Sequence, residues 1–225
     1  MEDLFNKLNL YDLLGYIIPG SLVIIILNMV FINILDSNFI IDFNEGNILM
    51  TIIFIIFSYF FGILIHEIGQ ILEKHFFKKV WGGFPSERFL LEENGKYSHE
   101  HKNRLKKIIE SEYNLKLNNT KEKNQEAFNL IYSKVQKKEG KDRIQLFNVI
   151  YGMCRSLFSG VIVSCFIFII KFFLELGSNN VINLTYIFLF GFFSYLLFRR
   201  STRFSERFAD YVYRDFYNYY AEKQD

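Results

Sequence analysis

The stretch Leu13–Leu35, LLGYIIPGSLVIIILNMVFINIL, decides how the rest of the chain is read. It is 23 residues long and uncharged. As a helix it covers about 34 Å, enough to cross a hydrocarbon core about 30 Å thick. Three more blocks repeat the pattern: Ile48–Ile65, Ser156–Phe173 with only Lys171 charged, and Val181–Phe198. Each covers about 27 Å, near the lower limit for a span. Four buried helices of a soluble domain are the alternative, but such helices normally keep a polar face. The first block is also too long for a signal-peptide core, and Leu35-Asp36-Ser37-Asn38 is not a small-x-small cleavage site. The expected fold is all-α: a polytopic membrane protein with four transmembrane helices.

Composition agrees. Of 225 residues, 51% are hydrophobic and 27 are Phe, which excludes a disordered chain. Two cysteines cannot build a disulfide scaffold. Cys154 and Cys165 lie about 16 Å apart along one expected helix, too far to bridge each other.

Charge sets the orientation. The links Asp36–Asn47 and Leu174–Asn180 contain no Lys or Arg. The segment between spans two and three carries Lys78, Lys79, Arg88 and many more, and the tail carries Arg199, Arg200, Arg203, Arg207 and Arg214. The positive-inside rule places both basic segments, and both termini, in the cytoplasm. The chain divides into a transmembrane hairpin (1–75), a cytoplasmic helical insertion (76–142), a second transmembrane hairpin (143–198) and a cytoplasmic aromatic and arginine-rich helical tail (199–225).

Within the insertion, Trp81-Gly82-Gly83-Phe84-Pro85 ends the helix that leaves span two. Ser98 caps a helix with Leu105, Ile108 and Ile109 on one face, and Thr120 caps another with Phe128, Ile131 and Val135. Gly140 ends the second. The next helix starts near Lys141 and runs through Ile144, Phe147 and Tyr151 into span three. The insertion is too small for a rich core of its own, so it packs on the tail or on a neighbouring subunit. Span four and the tail read as one long helix with Phe204, Phe208, Tyr211 and Val212 as its apolar stripe.

The tail arginines suit contact with anionic lipid or with a bound anion. No phosphate loop or base-stacking module accompanies them, so no nucleic-acid partner is expected. His66-Glu67-Ile68-Gly69-Gln70 approaches the zinc-protease pattern, but Gln70 replaces the second imidazole and His75 lies nine residues on from the first. No catalytic, cofactor or metal site is expected. Glu67 and Arg155 sit at similar depth at the inner ends of spans two and three and form a candidate pair; the alternative is that each snorkels to water. Gly152, Ser156, Gly160 and Ser164 repeat every four residues and suit close helix packing, with a looser series in Thr51, Ser58, Gly62 and Gly69. Ser21 and Asn28 share a face of span one beyond Pro19-Gly20, which kinks or unwinds the turn before them. They either join helices or line a wet path. No Asp, Glu or Lys sits at mid-depth, which weighs against a proton-coupled transporter.

The run DLLGYIIPG opening span one, SYFFGILIHE at the inner end of span two, the basic insertion and the arginine-rich tail together resemble small four-span bacterial membrane proteins, some encoded beside antiphage defence genes. The resemblance implies a bacterial inner-membrane effector or sensor worked through its cytoplasmic part. It carries over no catalytic residue. The expected function is a non-enzymatic homo-oligomer that perturbs or permeabilises the membrane under control of that part, with membrane lipid as its surroundings. The rival is a membrane-anchored scaffold or sensor recruiting a soluble cytoplasmic protein partner; an intramembrane enzyme comes third. Polar residues of span one facing a shared axis favour a pore, and their burial within one chain favours a scaffold.

Overall fold

The computed structural model describes residues 12–35, 48–91, 97–137, 142–174 and 180–221. The link 36–47, most of the link 174–180, and Gly140 with Lys141 lie outside them; the second insertion helix nevertheless ends before Gly140, at Val135 with Gln136 as its C-cap. Helices and their connections make up the described residues, with no strand among them. The helices are α1 (Ile18–Leu35), α2 (Ile48–Leu72), α3 (Lys78–Trp81), α4 (Pro85–Arg88), α5 (His99–Tyr113), α6 (Lys121–Val135), α7 (Asp142–Leu174) and α8 (Asn180–Ala221). Four of them, α1, α2, α7 and α8, contain stretches long and apolar enough to cross a membrane. A lipid core offers no partner to backbone groups, and a helix satisfies them within itself. Span four and the tail form one unbroken helix, α8.

The chain separates into two compact units. The first comprises residues Met1–Glu73 and Val149–Thr202. Its α1 is preceded by a π-helical turn, Leu13–Ile17, in which the Ile18 N–H donates to the Leu13 carbonyl. Pro19 offers no N–H and its ring crowds the carbonyl four residues back, so the turn before it widens. Just beyond, α1 and α2 meet backbone to backbone. A Cβ on Gly20 would lie 1.8 Å from the Ser58 carbonyl oxygen, and one on Gly62 2.1 Å from that of Tyr16. Any side chain at either position would force the helices apart. Farther along α1, Ile26 and Val30 pack with Phe168, and Leu22, Ile167, Ile187 and Phe190 close around them.

Only 17% of the most apolar window of α2 and 11% of that of α8 are covered by protein. Ile56, Phe57, Phe60, Phe188, Phe192 and Tyr195 are exposed. So large an apolar surface is the mark of a protein that sits in lipid.

The second unit comprises Lys74–Asn148 and Arg203–Asp225. After a π-helical turn at Glu73–Phe77, α3 stops at Gly82 in the left-handed conformation (φ 66°). Gly83 (φ 119°) continues the reversal, and Pro85 occupies the first turn of α4. Buried Glu87 locks this elbow: its carboxylate accepts from the Phe84 N–H at 3.1 Å and from Lys78 at 3.0 Å. Ser98 and Thr120 cap α5 and α6, as their positions suggested. The core of this unit joins the insertion to the tail. Leu105 and Ile109 of α5, and Phe128 and Ile131 of α6, pack with Val212, Tyr213 and Phe216 of α8. The Tyr213 hydroxyl donates to the Ser86 carbonyl at 3.2 Å, and its ring stacks on Phe89. The buried stripe of the tail is therefore Ala209, Val212, Tyr213 and Phe216, whereas Phe204, Phe208 and Tyr211 are only half-buried. Apolar spacing alone does not say which edge of a wide aromatic face turns inward.

Candidate functional site

The first unit holds a cluster of polar side chains between α2 and α7. His66 is buried, with Nδ1 3.0 Å from Ser156 Oγ and Nε2 3.1 Å from an Arg155 guanidinium nitrogen. An arginine N–H only donates, so Nε2 accepts and Nδ1 carries the hydrogen, donating to Ser156. The same guanidinium donates to Glu73, which also accepts from the Tyr151 hydroxyl. The Tyr16 ring from the turn before α1 meets the imidazole edge to face, centroids 5.0 Å apart.

Helical periodicity builds this cluster. Ser58, Gly62, Ile65, His66 and Gly69 form the buried face of α2, and Glu73 follows His66 by seven residues, close to two turns. On α7, Tyr151 and Arg155 are one turn apart. Gly69 gives the arginine room: a Cβ there would stand 2.9 Å from Ser159 Oγ and 3.4 Å from Arg155 Cγ. Ser159 in turn donates to the Arg155 carbonyl at 2.9 Å.

The expected Glu67–Arg155 pair is corrected by this geometry. Glu67 is exposed and its carboxylate lies 3.5 Å from Gln70 Nε2. One residue past His66 is a 100° rotation about the helix, which turns Glu67 away from α7. Arg155 takes Glu73 instead, with the two side chains 12% and 17% exposed. A buried cation is held by charge-assisted hydrogen bonds, and each bond here comes from a different residue type. His66 was weighed from the sequence only as half of a zinc pattern, and Glu73 and Tyr151 were not singled out as partners of Arg155; the seven-residue interval from His66 to Glu73 was the available signal.

The four-residue series on α7 is buried throughout: Gly152, Ser156, Gly160 and Ser164. Ser156 serves His66, and Ser164 donates to the Gly160 carbonyl at 2.7 Å. A Cβ on Gly160 would meet Val23, Ile65 and the Pro19 carbonyl at 3.5–3.7 Å, so α1, α2 and α7 converge there. The looser series on α2 holds for Ser58, Gly62 and Gly69, while Thr51 is exposed.

Ser21 is half-buried and donates to the Ile18 carbonyl of its own helix at 2.9 Å. Asn28 is buried within the chain, and its Oδ1 has no hydrogen-bond partner among the described residues. Arg199, Arg200, Arg203, Arg207 and Arg214 are all exposed. Arg207 lies over Phe204 at 5.9 Å and Arg214 over Tyr211 at 4.2 Å, each on an aromatic ring three residues earlier. They form a row of cations on α8 rather than one convergent pocket.

Chemically, the imidazole lone pair of His66 faces Arg155, leaving Ser156 without a base; this is not the arrangement of an activated nucleophile. Among the described residues no three His, Cys, Asp or Glu side chains come close enough to share a metal ion. The cluster orients and neutralises a buried guanidinium, the property of a fixed joint between two spans. Comparison with known proteins finds no match to this chain among family models, curated proteins or solved structures.

Proposed function

We propose that this chain is a membrane-anchored scaffold, whose four spans hold and whose insertion and tail present a folded helical unit for a soluble partner. The observation that carries this reading is the burial of Asn28, the polar side chain at mid-depth in span one, inside a single chain. Ser21, on the same face, spends its hydroxyl on its own helix. The shared core of insertion and tail supports the reading, because it gives the polar part a defined surface. The setting is a bacterial inner membrane with both termini in the cytoplasm, and the support for that orientation is the absence of Lys and Arg from the two short links. The exposed tail arginines suit anionic headgroups near the membrane surface.

A second reading is a homo-oligomer that conducts ions, and the observation favouring it is the Asn28 Oδ1 that meets no partner among the described residues. A buried amide oxygen of this kind costs energy until water or another group meets it. Purified protein in liposomes loaded with an ion-sensitive dye separates the two. The scaffold reading expects ion leakage equal to that of protein-free liposomes, for wild type and Asn28→Leu alike. Leakage through wild type that Asn28→Leu abolishes would overturn it in favour of conduction.

A further inference from the structure

The second unit contains a cation cage filled from within the chain. The Lys134 ammonium of α6 lies 5.9 Å from the Tyr113 ring centroid, 5.5 Å from that of Tyr219 and 5.0 Å from that of Tyr220. It donates to the Glu112 carboxylate and, at 2.5 Å, to the Tyr220 hydroxyl. Two aromatic rings, a phenol oxygen and a carboxylate around one ammonium form an arrangement by which proteins recognise organic cations. The walls come from two separate places: Glu112 and Tyr113 end α5, and Tyr219 and Tyr220 end α8.

We propose that Lys134 is a charge latch: its ammonium, held in the cage of Tyr113, Tyr219, Tyr220 and Glu112, fastens the last turn of the tail to the insertion, and neutralising that charge releases it.

Three observations fit. The deep core of the tail stops at Phe216, which is fully buried, whereas Tyr219 and Tyr220 are only partly buried. Beyond Phe216 the tail is held by rings at the edge of the core, Tyr217 against His101 and Tyr220 against Phe216, each at 4.8 Å, and by the Lys134 contacts. The Lys134 side chain remains 30% exposed, within reach of an acylating reagent or enzyme. Burial opposes its charge, yet the bonds to Glu112 and Tyr220 outweigh that and hold its pKa above the ordinary lysine value. Acetyl transfer from a thioester forms the amide C–N bond as the acyl C–S bond breaks and the thiol leaves with the amine proton; it removes the charge and keeps the aliphatic stem, so it would act on the latch and not on the packing. The site accordingly takes a primary alkylammonium group, supplied here by Lys134.

The test is amide hydrogen exchange on the full chain in detergent micelles. Lys134→Gln should speed exchange at residues 217–220 by roughly tenfold, the factor for losing contacts of this class. Residues 105–109 of α5 should be unchanged, and Lys134→Arg should stay near wild type. In Lys134→Ala, added propylammonium chloride should restore protection of the tail end, whereas propanol and sodium chloride at equal concentration should not. Equal exchange in wild type and Lys134→Gln would overturn the latch. So would restoration of Lys134→Ala by propanol as well as by propylammonium, since the site would then be apolar packing.

Discussion

Replacing Glu73 with Gln isolates the ion pair that the fold selected. The substitution keeps the side-chain volume and removes the charge facing Arg155. With the two side chains only 12% and 17% exposed, the guanidinium left behind has little water to turn to. It keeps the neutral His66 acceptor, and the Tyr151 hydroxyl loses its charged partner. Breaking a buried pair of this kind costs about 3–5 kcal/mol, and the residual exposure places Glu73→Gln near about 3 kcal/mol. Glu67→Gln touches an exposed carboxylate and should change stability by less than about 0.5 kcal/mol. Unfolding in mixed micelles, followed by circular dichroism as the denaturing detergent fraction rises, measures both. The decisive form is a pair of double-mutant cycles. Glu73→Gln with Arg155→Gln should couple by more than about 1 kcal/mol, while Glu67→Gln with Arg155→Gln should add within about 0.5 kcal/mol. Additivity in the first cycle together with coupling in the second would refute the assignment of Glu73.

The crossing of α1 and α2 makes Gly20→Ala destabilising, because its Cβ would stand 1.8 Å from a backbone oxygen, whereas Gly191→Ala, with nothing within 4 Å, should be neutral or slightly stabilising in the same unfolding assay. Burial is the main cause that pushes the Tyr113 phenol up to about 12, with Lys134 opposing and the neighbouring Tyr220 and Glu112 adding to it. The unfolded chain then ionises this tyrosine first as pH rises past about 10, so its contribution is present below that pH and is lost between there and about 12. Phenolate absorbance at 295 nm in wild type against Tyr113→Phe reads this out, and a Tyr113 contribution appearing near pH 10 in the folded protein would contradict it. Reporter fusions after Asn44 and Asn179 should signal the outside and those after Lys121 and Asp225 the cytoplasm; an outside signal at Lys121 would reverse the proposed orientation.

Hydrophobic run length and helical spacing are local properties, and they carried the class of the protein without any structure. Four uninterrupted apolar blocks require four helices that can cross a membrane, because lipid leaves the backbone no other partner. Capping is equally local, which is why Ser98 and Thr120 stand where their side chains announced. Pro19 widened its preceding turn for a reason contained in its own ring. What the chain could not declare by itself was which faces meet. Glu67 and Glu73 are the same residue type near the same helix end, and only the rotation that puts His66 and Gly69 against α7 decides that Arg155 takes Glu73. Gly20 read as part of a kink, yet its main role is to let the Ser58 carbonyl approach, a contact that depends on a residue 38 positions away. The tail read as an aromatic stripe, and Leu105, Ile109, Phe128 and Ile131 selected which edge of it is buried. Periodicity specifies a face to within a turn; choosing the partner for that face is a long-range packing decision, made only when the helices assemble.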